Sequence, residues 1–189
     1  MRVPLLLLLA AGPVGALDVI YFHLWKFRLY ARPQSAREQT VHLVRGLFVP
    51  SIVAVLLMGR PEGACFWLVA ALFAADTINS LIDVLLEPAS RAPVGIPPAE
   101  LALHFLGATM MGAAWATFMS EGWEFRAAPA LLRAHKALPQ PLVLAAWAGV
   151  AAAFALLAVE TVLTLRARLR AGTAIPPGEL AIDQPLSRS

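Results

Sequence analysis

Three histidines lie inside segments otherwise built of leucine, valine, alanine and phenylalanine, and each has a carboxylate close by in sequence. His42 follows Glu38 by four residues, and His104 follows Glu100 at the same spacing. Four residues put two helical side chains one above the other on one face. His23 follows Asp18 by five residues, a spacing that does not share an α-helical face closely. A further segment carries Asp76, Asn79, Ser80, Asp83 and Glu87 as one stripe at spacings of three and four. Imidazole with carboxylate is a donor set for iron, zinc or manganese and needs no thiolate. The one cysteine, Cys65, excludes an internal disulfide and a cysteine-based zinc cluster.

The elements that hold these residues follow from composition. The chain has 189 residues, 59 % of them hydrophobic and 14 % charged, with a mean hydropathy of +0.70. Soluble domains carry about 25 % charged residues. The expected fold is therefore an all-α integral membrane protein. A bilayer core takes about 20 helical residues to cross, and five segments qualify: about 3–27, 38–58, 64–87, 99–119 and 142–164. Arg32-Pro33-Gln34-Ser35, Gly59-Arg60-Pro61-Glu62-Gly63, Pro88, Pro93 to Pro98, and Pro129 to Pro141 mark the connections. Residues 1–170 form one transmembrane domain, and 171–189 read as a disordered polar tail. Arg2, the leucine run and Val14-Gly15-Ala16 also resemble a short signal peptide, but the apolar run through Val19-Ile20-Tyr21-Phe22 suits a retained helix better.

Lys26, Arg28, Arg32 and Arg37 in the first loop and Arg166, Arg168 and Arg170 near the end outweigh the basic residues of the opposite loops. The positive-inside rule then puts the N-terminus outside and the C-terminus inside, in a bacterial-type inner membrane or a plasma membrane. Trp67, Trp115, Trp123 and Trp147 fall at the outer interface and Trp25 at the inner one. With a net charge of +3 carried in loops, nucleic acid is not an expected partner.

This topology stacks the polar residues in layers against the inner surface, within a bundle of the first four helices. Glu38, Glu87 and Glu100 come first; His23, His42, Asp83 and His104 lie one turn deeper; then Asp18, Arg45 and Asn79; then Asp76. The expected metal ligands are His23, Glu38, His42, Asp83, Glu87, Glu100 and His104. Asp18, Arg45, Asp76 and Asn79 stand behind them to orient ligands and balance charge. The set is similar to di-iron and di-manganese carboxylate bundles, although those use Glu-x-x-His rather than the Glu-x-x-x-His found here. Three histidines with Asp83 form a smaller, mononuclear alternative with an open position. Leu29 to His42 and Leu85 to His104 also share a faint pattern, ending in each case in Glu-x-x-x-His.

The residues have plainer readings too. Glu38 stands three residues after Ser35, as in a capping box, and Glu100 suits the positive end of a helix dipole. Arg45 is expected to neutralise Asp18 or Asp83, and Glu160 to pair with Arg166 or the membrane edge. His135 reads as an ordinary loop residue. The leading functional expectation is a membrane oxidoreductase that uses iron, as one or two ions, on a lipid-soluble substrate. The alternatives are a non-enzymatic membrane subunit or proton or ion pathway component, and a zinc-dependent intramembrane hydrolase. A haem held by two histidines suits the dense carboxylates less well. The Ala/Gly-rich fifth helix (Ala145 to Ala153) suits close packing, within the chain, with a membrane partner or in a homo-oligomer. No P-loop, dinucleotide fingerprint, nucleophile elbow or His-Glu-x-x-His occurs.

Overall fold

Long uninterrupted apolar runs satisfy their backbone polar groups internally only as helices, and five such helices dominate the chain. The computed structural model describes residues 1–92, 95–134 and 138–173. The order is α1 (Arg2–Leu17), a π-helical continuation (Asp18–Lys26), two short 3-10 turns, α2 (Ala36–Met58), β1 (Arg60–Glu62), α3 (Ala64–Ser90), α4 (Pro98–Gly122), β2 (Leu131–Arg133) and α5 (Gln140–Thr173). The stretches Arg2–Lys26, Pro33–Met58, Ala64–Ser90, Pro98–Phe125 and Gln140–Arg170 are each long and apolar enough to cross a membrane. His135 and residues 174–189, most of the expected tail, lie outside the described residues.

Two boundaries differ from expectation for physical reasons. Pro88 does not end α3, because proline removes only its own N–H from the ladder. The next turn still closes: Arg91 N–H donates to the Glu87 carbonyl at 3.0 Å. The Gly59–Gly63 turn is also more than a turn. Its middle pairs antiparallel with Leu131–Arg133, placing Arg60 opposite Arg133 and Glu62 opposite Leu131.

α1 packs along α4, and α2 packs along both α3 and α5, while α4 and α5 barely touch. The apolar core fills the half of the molecule nearer the β1–β2 pair, with Leu5, Leu8, Ile52, Leu56, Phe66, Phe73 and Phe118 all buried. Trp115 belongs to this core rather than to an interfacial belt: its ring stacks on Phe73 at 6.4 Å. Trp67 and Trp123 do sit exposed at the end with the strand pair, and Trp25 sits exposed at the other end. The strand pair is held by Glu62, whose carboxylate accepts from Arg60 at 2.7 Å and Arg133 at 2.8 Å. Gly63 has φ 56°, and a Cβ there would stand 2.1 Å from the Ala128 carbonyl oxygen, so only glycine fits.

Candidate metal centre

The site is assembled at the end remote from the strand pair, from α1's continuation, α2, α3 and α4. The π register of Asp18–Lys26 solves a spacing problem. In an α-helix, positions five apart point about 140° away from each other. An i→i+5 ladder closes its turn over five residues. His23 Nε2 consequently lies 3.6 Å from Asp18 Oδ2. The register ends where Phe27 N–H donates to the Phe22 carbonyl at 2.9 Å. Arg28 then turns the chain out in the left-handed region at φ 50°.

α2 brings Glu38 and His42 on one face, as their spacing predicts. His42 Nε2 stands 3.3 Å from Asp83 Oδ1 of α3 and 4.0 Å from Glu38 Oε1. Asn79 fixes the two helices in this register, donating to the Val41 carbonyl at 3.0 Å. α4 brings Glu100 and His104. His104 Nε2 lies 3.0 Å from Asp18 Oδ2, and its Nδ1 lies 3.5 Å from Glu87 Oε2. The rings of His23 and His42 meet edge to face with centroids 4.0 Å apart.

Arg91 organises the acids. It is fully buried, with Nη2 2.9 Å from Glu38 Oε1 and 2.5 Å from Glu100 Oε1. Its guanidinium lies over the Phe27 ring at 4.7 Å. Ser90 donates to the other Glu38 oxygen. The sequence offered Arg91 only as a loop charge. The available signal was the shared pattern around it: Ser90-Arg91 stands where Ser35 and Arg37 stand before the first Glu-x-x-x-His.

Four expectations are corrected. Glu38 does not close a capping box, since Ser35 makes no side-chain cap bond and Arg91 and Ser90 hold the carboxylate instead. Arg45 pairs with Asp76 at 3.6 Å, not with Asp18 or Asp83. Glu160 accepts from Gln39 of α2 at 3.3 Å rather than meeting Arg166. Asp18 stands among the potential ligand atoms and not behind them, because the π register turns it inward.

Two groups of ligand atoms converge within 4.8 Å of one another: Asp18, His23, Glu100 and His104, and separately His23, Glu38 and His42. Metal–nitrogen and metal–oxygen bonds of about 2.0–2.2 Å put two ligands of one tetrahedral ion about 3.3 Å apart. The 3.0 Å between His104 and Asp18, and the 3.6 Å from His23 Nε2 to both Asp18 and Glu100, bracket that value. Glu87 behind His104 repeats the carboxylate–histidine pairing that orients metal-bound imidazoles. Both groups draw on His23, and Arg91 ties up Glu38 and Glu100, the two acids best placed to bridge. Glu100 also belongs to the four-residue group, where its Oε2 has no hydrogen-bond partner.

Charge points the same way. Seven buried carboxyl side chains gather here: Asp18, Glu38, Asp76, Asp83, Glu87, Glu100 and Glu160. Arg45 and Arg91 pair with Asp76, Glu38 and Glu100. Buried anions need compensation, by protons or by a cation. Several polar atoms are also left without a hydrogen-bond partner: both ring nitrogens of His23, Asp18 Oδ1 and Glu100 Oε2. Buried polar atoms are ordinarily paired, so such a concentration asks for an explanation.

The acid stripe stops at Asp76. Beyond it α3 buries Phe73, Val69 and Phe66. An apolar cavity of about 640 Å³ opens beside the cluster between the α1–α4 pair and the α2–α5 pair, with Asp18, His42, Arg45, His104 and Glu160 in its wall. Comparison with family models, with curated proteins and with solved structures finds no match for this chain.

Proposed function

We propose that the chain is an integral membrane protein whose buried cluster binds a transition metal and acts on a lipid-soluble substrate. Five apolar spans support the membrane setting, and so do large side chains such as Leu85 and Phe105, which are 79 % and 77 % exposed. With the Lys/Arg bias, the cluster then faces the inner leaflet.

The observation that carries the metal reading is His23. It is wholly buried, neither ring nitrogen has a hydrogen-bond partner, and its Nε2 lies equally near two carboxylates. A ligand atom of a cation site has that environment. Asp18, His23, Glu100 and His104 would hold the ion, Glu87 would orient His104, and Arg91 would keep Glu100 in place. Two imidazoles with carboxylates suit iron with open positions, or zinc. Iron would supply oxidative chemistry on a substrate in the cavity; zinc would supply an activated water. Contact between the His23 and His42 rings leaves no slot for a porphyrin between them, which favours a non-haem ion. Phe73 and Phe66 above Asp76 weigh against an ion path through the whole chain.

The test is elemental analysis of detergent-purified protein grown with iron and zinc available. Wild type is expected to hold one transition metal near stoichiometry, and His23→Ala and His104→Ala to release it. Glu62→Gln, at the far end, should retain it. Folded wild type with no metal would overturn the reading, and the metal found decides between oxidation and hydrolysis.

A further inference from the structure

We infer that the end of the molecule nearest the cluster is a binding surface for anionic phospholipid, whose phosphate is held jointly by the first loop and the end of α5. The inference rests on the membrane setting proposed above and needs no metal.

The two segments are far apart in sequence. Lys26, Arg28, Arg32 and Arg37 run from the end of the first span into the start of α2, and Arg166 and Arg168 belong to α5. The positive-inside rule asks only that such residues share one side of the membrane. The fold does more, because it joins them. α5 packs on the Leu29–Ala31 turn. Arg168 donates to the Ala36 carbonyl at 3.3 Å and to Thr40 Oγ1 at 3.1 Å, which ties α5 to the start of α2. Two sets of cations thereby become one patch.

Some of the charged heads are held in place. Lys26 Nζ stands 5.2 Å from the centre of the Phe22 ring and 5.3 Å from that of Phe27. The Arg32 guanidinium stands 5.7 Å from the Phe27 ring. Both rings are buried and stack on each other, so they form a fixed support. A ring face attracts a cation without supplying an oxygen acceptor, and the N–H donors on the outer side still call for one.

The acids at this end turn inward, away from the patch. Glu38 and Glu100 are buried on Arg91, and Glu87 is buried beside His104. Lys26, Arg28, Arg37, Arg166 and Arg168 are exposed. The opposite end treats its cations differently, for Arg60 and Arg133 share the carboxylate of Glu62. Exposed cations whose neighbouring acids face inward are complementary to an anion supplied from outside. Trp25, 69 % exposed at this same end, marks the depth of the membrane interface. The anions at that depth are lipid phosphates, and a guanidinium matches their oxygens in pairs. A zwitterionic headgroup would bring its own ammonium against the same cations, so a net negative headgroup is selected.

The test is native mass spectrometry of the delipidated wild-type protein in neutral detergent, with phosphatidylglycerol and phosphatidylcholine of the same acyl chains. Phosphatidylglycerol is expected to bind about tenfold or more tighter. Arg37→Gln and Arg166→Gln, one from each segment, should each weaken it by about fivefold. Arg126→Gln, at the other end, should leave it unchanged, and metal content should stay at the wild-type level in all three. Raising the ionic strength on unmodified protein should weaken phosphatidylglycerol and not phosphatidylcholine, which covers variants that fail to fold. Equal binding of the two lipids, folded variants that bind as wild type, or no salt dependence would overturn the inference and leave the membrane and metal readings standing. Displacement of the lipid by inorganic phosphate or by polyglutamate at equal concentration would assign the patch to a soluble anion or an acidic protein and overturn it too. Protein that stays dispersed without detergent would overturn the membrane setting along with it.

Discussion

The two ends of this molecule bury acidic groups in opposite ways. At the strand-pair end one carboxylate, Glu62, meets two arginines, Arg60 and Arg133, and both of its oxygens are engaged. At the other end seven carboxyls share Arg45, Arg91 and three histidines, and several ligand-type atoms are left without partners. At the strand pair the one acid is matched by two cations. The cluster has more anion than cation, in a place where an uncompensated charge is expensive. Saturated pairing makes a clasp; the unsaturated pairing is what the proposed metal reading rests on.

The sharpest way to break this contrast is to remove the cluster's central cation. Arg91→Met leaves Glu38 and Glu100 buried without their partner, and removing one side of a buried pair costs about 3–5 kcal/mol. Thermal or denaturant unfolding in detergent should show the loss, and metal supplied in excess should recover part of it. An unchanged midpoint would mean that the acids are already neutral. At the other end, Gly63→Ala should cost about 1–3 kcal/mol through backbone strain at positive φ, and more from the clash with Ala128, without loss of metal. A smaller effect sharpens the comparison through pH. Arg133 and Arg60, both donating to it, hold the Glu62 carboxyl below the usual carboxylate range. A depressed folded value means that its contribution is present above the ordinary glutamate pKa and lost as pH falls through the folded one. Tryptophan fluorescence from Trp123, beside the strand pair, should therefore change on acidification below about pH 4.5, and Glu62→Gln should flatten that change.

Much of the architecture was legible because apolar run length is a strong signal. All five helices lie where the runs lie, within about three residues at the ends, except that α5 continues nine residues past the expected 164, to Thr173. The gathering of His23, His42, His104, Glu38, Asp83, Glu87 and Glu100 at one end followed from depth along antiparallel helices. What was not legible depended on contacts that periodicity does not encode. Arg91 follows a proline and reads as loop; its role exists only once α2 and α4 converge on it. Arg45 faces Asp76 because of the rotation of α2 against α3, which spacing along one helix does not contain. The three-residue strands pair across about seventy residues of sequence and carry no alternation to detect. Gly149 and its small neighbours look the same whether they border a helix or a cavity.

The π segment has one more implication. Relative to an α-helix it contains one extra residue between Asp18 and His23. With that residue removed, the first helix would carry an acid followed four residues later by a histidine, the spacing of Glu38–His42 and Glu100–His104. All three histidine-bearing helices therefore present the same unit, an acid and a histidine one helical turn apart, twice in α register and once in π register. The extra residue also rotates everything N-terminal to it by about 100°. The local winding that turns Asp18 toward His23 is thus the same winding that sets which face of α1 meets α4.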